Sequence, residues 1–309
     1  MARRRRGLPV DGVLLLDKPQ GISSNRALQK ARGLFQAQKA GHTGTLDPMA
    51  TGLLPLCFGE ATKFSSHLLD ADKCYRARVQ LGVTTDSGDA EGNVVERHPV
   101  PELSAVQVNA VLEGFVGEIE QIPPMYSALK HQGRPLYELA REGREIARAP
   151  RRVTLYHIAL LELGEAHFDI EVSCSKGTYI RTLAEDIGRT LGCGAHLSRL
   201  RRLRTGPFDA CGMVELATLE ATEDMAERTM RLLPIDVLLE HLPRLEAAGA
   251  VVDRIVQGQR VQMDTAGLGV NSIARLYCGQ RLLGLVTVTM PGELAPKRLI
   301  RTDTGAADS

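Results

Sequence analysis

The 309-residue sequence is informative first for what it lacks. It has no apolar run near the roughly 20 residues needed to cross a bilayer. Its longest early run, residues 13–16, stops at Asp17 and is too short for a signal-peptide core. A cytoplasmic protein with no membrane partner is expected. The six cysteines (Cys57, Cys74, Cys174, Cys193, Cys211, Cys278) stand singly. With no Cys-x-x-Cys pair, neither a zinc site nor a redox motif is indicated, and in a reducing compartment they read as small buried thiols. The eight histidines lack metal-ligand spacing, so no metal is expected. No internal repeat is present. Net charge is only +1, so bulk electrostatics does not announce a polyanionic partner.

Local charge is more telling than net charge. Arginines cluster at residues 3–6, at Arg148, Arg151 and Arg152, and at Arg199, Arg201, Arg202 and Arg204. Each cluster reads as solvated surface or as phosphate contacts. The first reads as a tail. A composition of 43% hydrophobic and 24% charged residues is that of a globular chain. The length exceeds a single small core, so a large domain followed by a small one is expected.

Residues 12–17 read as a short buried strand. A turn at Lys18-Pro19-Gln20-Gly21 leads to a helix capped by Ser23 or Ser24 and running to about Gln36. Residues 41–52 hold three glycines and a proline and read as a loop. A strand over 53–58 and a helix near 61–69 follow. Strict alternation places Tyr75, Ala77, Val79 and Leu81 on one face of a strand. Residues 84–92 read as a polar loop. Helices are expected over 105–115 and 136–142, and paired strands over 153–163 and 168–175. Beyond Ile180, apolar residues at 183, 184, 187 and 191 mark one helix face. After about residue 244 the chain turns to short strands with glycine turns, preceded by a helix near 249–257. A hairpin is expected over 273–277 and 282–289.

The loop Gly-His-Thr-Gly-Thr-Leu-Asp-Pro-Met-Ala-Thr-Gly, residues 41–52, carries the chemistry. Glycines allow close backbone approach to a ligand, and Pro48 biases Asp47 away from helix. Hydroxyls at Thr43 and Thr45 can donate to a phosphate or carboxylate. A lone Asp in such a loop equally suits an Asx-turn. The loop is similar to the nucleophile loop of the TruB pseudouridine synthase family. Four further segments match that family in order: Asp17-Lys-Pro-Gln-Gly-Ile-Ser-Ser24; Tyr75 to Gly82 with Thr85-Asp-Ser-Gly-Asp-Ala-Glu-Gly92; Pro123-Pro-Met-Tyr-Ser-Ala-Leu-Lys130; and Cys174-Ser-Lys-Gly-Thr-Tyr-Ile-Arg181. The resemblance spans about residues 11–232.

The resemblance implies an α/β (α+β) pseudouridine-synthase fold: a mixed, mostly antiparallel sheet flanked by helices. It assigns residues 8–235 to catalysis and 248–303 to a small β-rich, PUA-like RNA-binding domain. It implies isomerisation of the uridine at position 55 in the tRNA T-loop, without cofactor, by a monomer acting on the T-stem-loop. Asp47 is then the nucleophile, and Arg181 its partner, a guanidinium that favours the ionised carboxylate. That reading also accounts for a cation in the first turn of a helix, where the dipole disfavours it. Tyr75 stacks on the target base, Tyr179 forms a second pocket wall, and Leu200 is an apolar contact. His42 fills the vacated stack, and Arg199 and Arg202 contact phosphates. Lys18 and Pro19 support the nucleophile loop. Attack on the sugar C1′, attack on the base C6 and a glycal route stay open. Three other readings stand beside this one: a guide-dependent enzyme of ribosomal RNA, a non-catalytic RNA-binding or RNA-folding module, and a metal-dependent nuclease.

Overall fold

The computed structural model describes residues 7–301. The arginines at positions 3–6 lie outside the described residues. A nine-stranded sheet runs in the order Val214–Glu215, Gly12–Lys18, Thr51–Phe58, Ala195–Thr205, Lys73–Leu81, His167–Cys174, Arg151–Leu163 and Gly117–Gln121, with Ala40–His42 also paired to Thr51–Phe58. Two pairings are parallel, Val214–Glu215 with Gly12–Lys18 and Ala195–Thr205 with Thr51–Phe58. The others are antiparallel. The expected mixed, mostly antiparallel α/β architecture is present.

Alternation along the strands sorts the two faces. Leu14, Leu16, Leu54, Leu56, Tyr75, Ala77, Val79, Phe168, Ile170 and Val172 face one core. The helices Ser24–Leu34, Ala105–Glu113, Ile180–Thr190 and Leu216–Ala221 cover that face with Ala27, Leu28, Val108, Leu112, Leu183, Ile187 and Leu219. The first of these helices begins as expected, with the Ser23 side chain accepting from the Arg26 N–H. On the opposite face, Val13, Leu15, Leu53 and Cys57 pack against Phe64, Leu68, Leu238, Leu239 and Leu285. That covers only the half of the back face made by the first strands. A five-stranded sheet follows, ordered Arg244–Glu246, Ile273–Cys278, Arg281–Met290, Glu293–Leu299 and Val261–Gln262. It encloses its own core of Leu245, Ile255, Ala274, Leu276, Val286 and Val288.

Three local readings change. The single helix expected near 61–69 is a 3-10 turn, Gly59–Lys63, followed by one α-helical turn, Ser66–Leu69. The polar loop after Leu81 contains a strand, Val83–Thr85, paired with Val94–Arg97. The third arginine cluster is a central strand, Ala195–Thr205. Register shifts at Leu197/Arg199 and Arg202/Arg204 break its alternation, so its pattern does not read as a strand. Of the cysteines, Cys211 and Cys278 are exposed, contrary to the expectation of burial. Among the described residues no helix is long and apolar enough to span a membrane.

Candidate active site

The loop carrying Asp47 is held from below on both sides. Ser24 Oγ accepts from the Leu46 N–H at 2.8 Å and donates to the Leu46 carbonyl at 2.9 Å. Lys18, fully buried, donates from Nζ to the carbonyls of Ile22 (2.7 Å), Pro19 (3.0 Å) and Pro48 (3.2 Å). Burial pulls the Lys18 ammonium down to about 8, with the charges of Asp47 and Glu91 acting against that shift. The Gly21 N–H also donates to the Pro48 carbonyl, at 2.8 Å. The expected supporting role of the Lys18 turn therefore has a direct physical form: three donors converge on the two residues flanking Asp47.

Arg202 performs the same service from the sheet. Its Nε donates to the Leu53 carbonyl at 2.7 Å, and its Nη2 donates to the Gly44 carbonyl at 3.2 Å. It is 1% exposed. The expectation that Arg202 contacts RNA phosphates is corrected: its fork is occupied by backbone carbonyls and no face of it reaches solvent. Thr43 is corrected likewise. It is fully buried and its hydroxyl donates to the Pro55 carbonyl, whereas Thr45 is exposed.

Asp47 meets Arg181 in a fork. Arg181 Nε lies 3.0 Å from Asp47 Oδ2, and Arg181 Nη2 donates to Oδ1 at 3.3 Å. The guanidinium is locked behind this contact. Nη2 also donates to the Tyr126 carbonyl at 2.6 Å, Nη1 donates to the Ser87 carbonyl at 3.0 Å, and Nη1 lies 3.7 Å from Asp89 Oδ2. The Arg181 side chain is 4% exposed, whereas that of Asp47 is 32% exposed. The carboxylate is thus largely buried but keeps an open side. Burial raises the Asp47 pKa above the ordinary carboxylate value. Arg181 opposes that shift by charge and hydrogen bonding, Asp89 adds to it, and Lys18 opposes it.

Asp89 was not singled out from the sequence. It is 4% exposed, accepts from Ser87 Oγ at 2.6 Å and from the Glu91 N–H at 3.0 Å, and so shapes the turn that receives Arg181. Its signal was the acid-rich run of residues 85–92. Gln121, 2% exposed, was also missed. It accepts from the Tyr179 N–H at 3.0 Å and donates to the Tyr179 carbonyl at 3.2 Å, which fixes the residue preceding the Arg181 helix. A glutamine at the end of an edge strand gives no pattern from which this could be read.

Tyr75 is 8% exposed on the core face, and burial raises its pKa, so it is a neutral phenol. Tyr179 is half-buried and its pKa is raised by the same cause. Both feel the charge of Asp47. Leu200, 8% exposed, belongs to the same apolar cluster as Tyr75. His42 is half-buried, and burial and the Arg202 charge lower its pKa, so its ring is neutral near neutrality. Its Nδ1 is buried with no hydrogen-bond partner. Arg199 is exposed on a cleft of about 580 Å³ whose lining includes Met49 and Leu200 but not Asp47, Tyr75 or Arg181. No group of three or more potential metal ligands is found among the described residues.

The chain is 64% identical over 308 residues to a Chromohalobacter salexigens protein named tRNA pseudouridine synthase B, covering all of both chains. The chain belongs to the TruB family. A relative of the same name from an Azoarcus species is 57% identical, covering 96% of this chain and 97% of that one. Three TruB family descriptions match in succession: the TruB family pseudouridylate synthase N-terminal domain over residues 32–180, the tRNA pseudouridylate synthase B C-terminal domain over 181–240, and the pseudouridine synthase II TruB C-terminal region over 243–300. Among solved structures, one of a Cbf5-Nop10-Gar1 complex matches with a TM-score of 0.69 at 26% identity, covering 94% of this chain and 85% of that one. Another, of an H/ACA RNP bound to a substrate RNA containing 2′-deoxyuridine, shares the fold with a TM-score of 0.70 at 23% identity, covering 98% and 92%. The TruB member described here is therefore a pseudouridine synthase, an isomerase.

Proposed function

We propose that this enzyme isomerises uridine 55 in the T-loop of tRNA, acting as a cytoplasmic monomer, with Asp47 as the nucleophile. The observation that carries this reading is the asymmetry of the Asp47–Arg181 pair. The cation is sealed behind the carboxylate, and only the carboxylate opens into the cleft. A carboxylate held in this way is available to attack and is fixed in orientation.

The reaction balances without a redox partner. The N1–C1′ bond breaks, the C5–C1′ bond forms, C5 loses a proton and N1 gains one. Asp47 must be ionised to start it, and Arg181 supplies the fixed charge that keeps it so against burial. The uridine must leave the stack to reach Asp47, at a cost of a few kcal/mol. Stacking on Tyr75 and the apolar surface of Leu200 and Tyr179 would offset that cost for the flipped base. The neutral ring of His42, with an unpartnered Nδ1, suits insertion where the base has left. Arg199 is placed to meet a phosphate. Residues 8–235 would carry the chemistry, and the β-rich unit anticipated at 248–303, with its first strand at Arg244, would bind RNA. The tRNA reading is favoured over the guide-dependent one because the relatives at 64% and 57% identity both bear the tRNA enzyme's name.

The test is modification of an unmodified tRNA transcript by purified protein alone, with the product mapped by position. Pseudouridine at position 55, and none in a transcript carrying cytidine there, is the expected result. Modification at another position, or only after a guide RNA is added, would overturn the proposal.

A further inference from the structure

The uncovered half of the sheet's back face carries an unusual arrangement of charge. The neighbouring antiparallel strands Lys73–Leu81 and Ala195–Thr205 place Arg78 opposite Arg199 and Arg76 opposite Arg201. Like charges directly opposite one another destabilise a sheet. Arg204, exposed, extends the row opposite Cys74. The balancing carboxylates come from the strands on either side. Asp17 accepts from Arg201 at 2.7 and 3.0 Å. On the other flank, Asp169 accepts from Arg78 at 2.5 and 3.1 Å and from Arg76 at 3.4 Å, Glu162 lies 3.5 Å from Arg78, and Glu171 sits opposite Arg76. Arg199 has no carboxylate partner among the described residues.

The result is a cationic stripe two strands wide, with acidic margins, along the 580 Å³ cleft. Local repulsion of this kind persists where it serves a site. The stripe lies on the opposite face of its strand from Tyr75 and Ala77, which point into the helix-covered core. A uridine stacked on Tyr75 lies toward the other face of that strand, although Ala77 and Leu200 also border the cleft. A polyanion on the stripe must be another part of the same RNA, and planar guanidinium groups are suited to phosphate oxygens.

We infer that Arg76, Arg78, Arg199, Arg201 and Arg204 form a docking stripe for the phosphate backbone of the substrate RNA outside the arm whose uridine enters the Asp47 cleft. The inference rests on the reading that the substrate is a tRNA. Acidic margins confine the backbone to the stripe, since a strand displaced to either side meets carboxylates.

The test uses the full chain and two RNAs, a whole tRNA transcript and its isolated T-stem-loop, with affinities measured across a salt series. Arg76 is the residue to change: its side chain is 52% exposed, and Asp169 keeps Arg78 when Arg76 is gone. Arg76→Glu is expected to weaken tRNA binding at least fivefold. It should reduce the slope of log affinity against log salt by about one, as loss of a phosphate contact requires. Stem-loop affinity should move less than twofold. Arg76→Gln should act in the same direction with smaller size, and thermal melting of both variants reports whether the sheet is intact. Unchanged binding of both RNAs would make the stripe a solvated face and overturn the inference. Equal weakening on both RNAs would overturn the placement outside the arm. Wild-type isomerisation of the two RNAs is a separate check on the tRNA reading, so failure there is distinguishable from failure of the stripe.

Discussion

Lys18 reaches across thirty residues of sequence to donate to the carbonyl of Pro48, the residue next to Asp47. Its other two acceptors are the carbonyls of Pro19 and Ile22, so one ammonium ties the turn after the first strand to the Asp47 loop. Replacing Lys18 with Met keeps the length and removes every donor. The loop then loses an anchor on one side, and a small displacement of a catalytic group is enough to slow chemistry about 100-fold. Single-turnover kinetics should show the Lys18→Met rate down at least tenfold with tRNA affinity within threefold. Equal loss of both would mean that the residue supports binding rather than the loop.

The acidity of the cleft gives a signed prediction. In the proposed reaction Asp47 must be ionised, and burial has already raised its pKa above the ordinary value. Arg181 opposes that shift by both charge and hydrogen bonding. Removing the guanidinium as Arg181→Gln therefore raises the pKa further. The acid limb of the kcat/KM profile should move to higher pH, with a plateau lower by at least 100-fold, on the order of 3 kcal/mol for breaking a buried pair. An acid limb that stays in place would mean that Asp47 is not the group titrating.

Arg202 separates a structural cation from an RNA-binding one. Its acceptor at Leu53 is buried and that at Gly44 is partly buried, and leaving a buried group unpaired costs about 1–3 kcal/mol. Arg202→Met should lower unfolding free energy by about 2–4 kcal/mol in urea titration on the same basis. The salt dependence of tRNA binding should not change. A smaller salt slope with unchanged stability would restore Arg202 as a phosphate contact.

Gly52 has φ +97, and a Cβ there would sit 2.3 Å from the Arg202 carbonyl oxygen and 2.8 Å from the Arg202 nitrogen. These are backbone atoms of the neighbouring parallel strand, so neither can swing aside. Gly52→Ala should destabilise by about 3 kcal/mol or more, through left-handed strain and forced strand separation. A thermal midpoint unchanged from wild type would mean that the two strands are not so closely apposed.

The sequence discloses the local elements well where one period dominates. The alternation from Tyr75 to Leu81 and the helical spacing after Ile180 both correspond to observed elements. It discloses the Asp47 loop through its glycines and proline. The strand Ala195–Thr205 is hidden because its exposed arginines imitate a surface patch and two bulges disturb the alternation. Arg202 was misassigned for the same reason, since neighbours of one type on a bulged strand point to different environments. Asp89 is hinted at only by the acid-rich run around it and Gln121 by nothing, because their roles arise from contacts with Arg181 and with the Tyr179 backbone, far along the chain. The five-stranded unit shows its hairpin clearly, but its first strand, Arg244–Glu246, pairs in parallel with Ile273–Cys278 across a long gap. Local pattern does not report such a pairing.

The most direct test of the account is single-turnover release of tritium from uracil C5 in labelled tRNA by the Asp47→Asn enzyme, alongside its tRNA affinity. Asn preserves the size of the side chain and one acceptor oxygen while removing the nucleophilic charge. The account predicts no detectable release from the variant and tRNA affinity within about tenfold of wild type. Release near the wild-type rate, with pseudouridine in the product, would contradict Asp47 as the nucleophile.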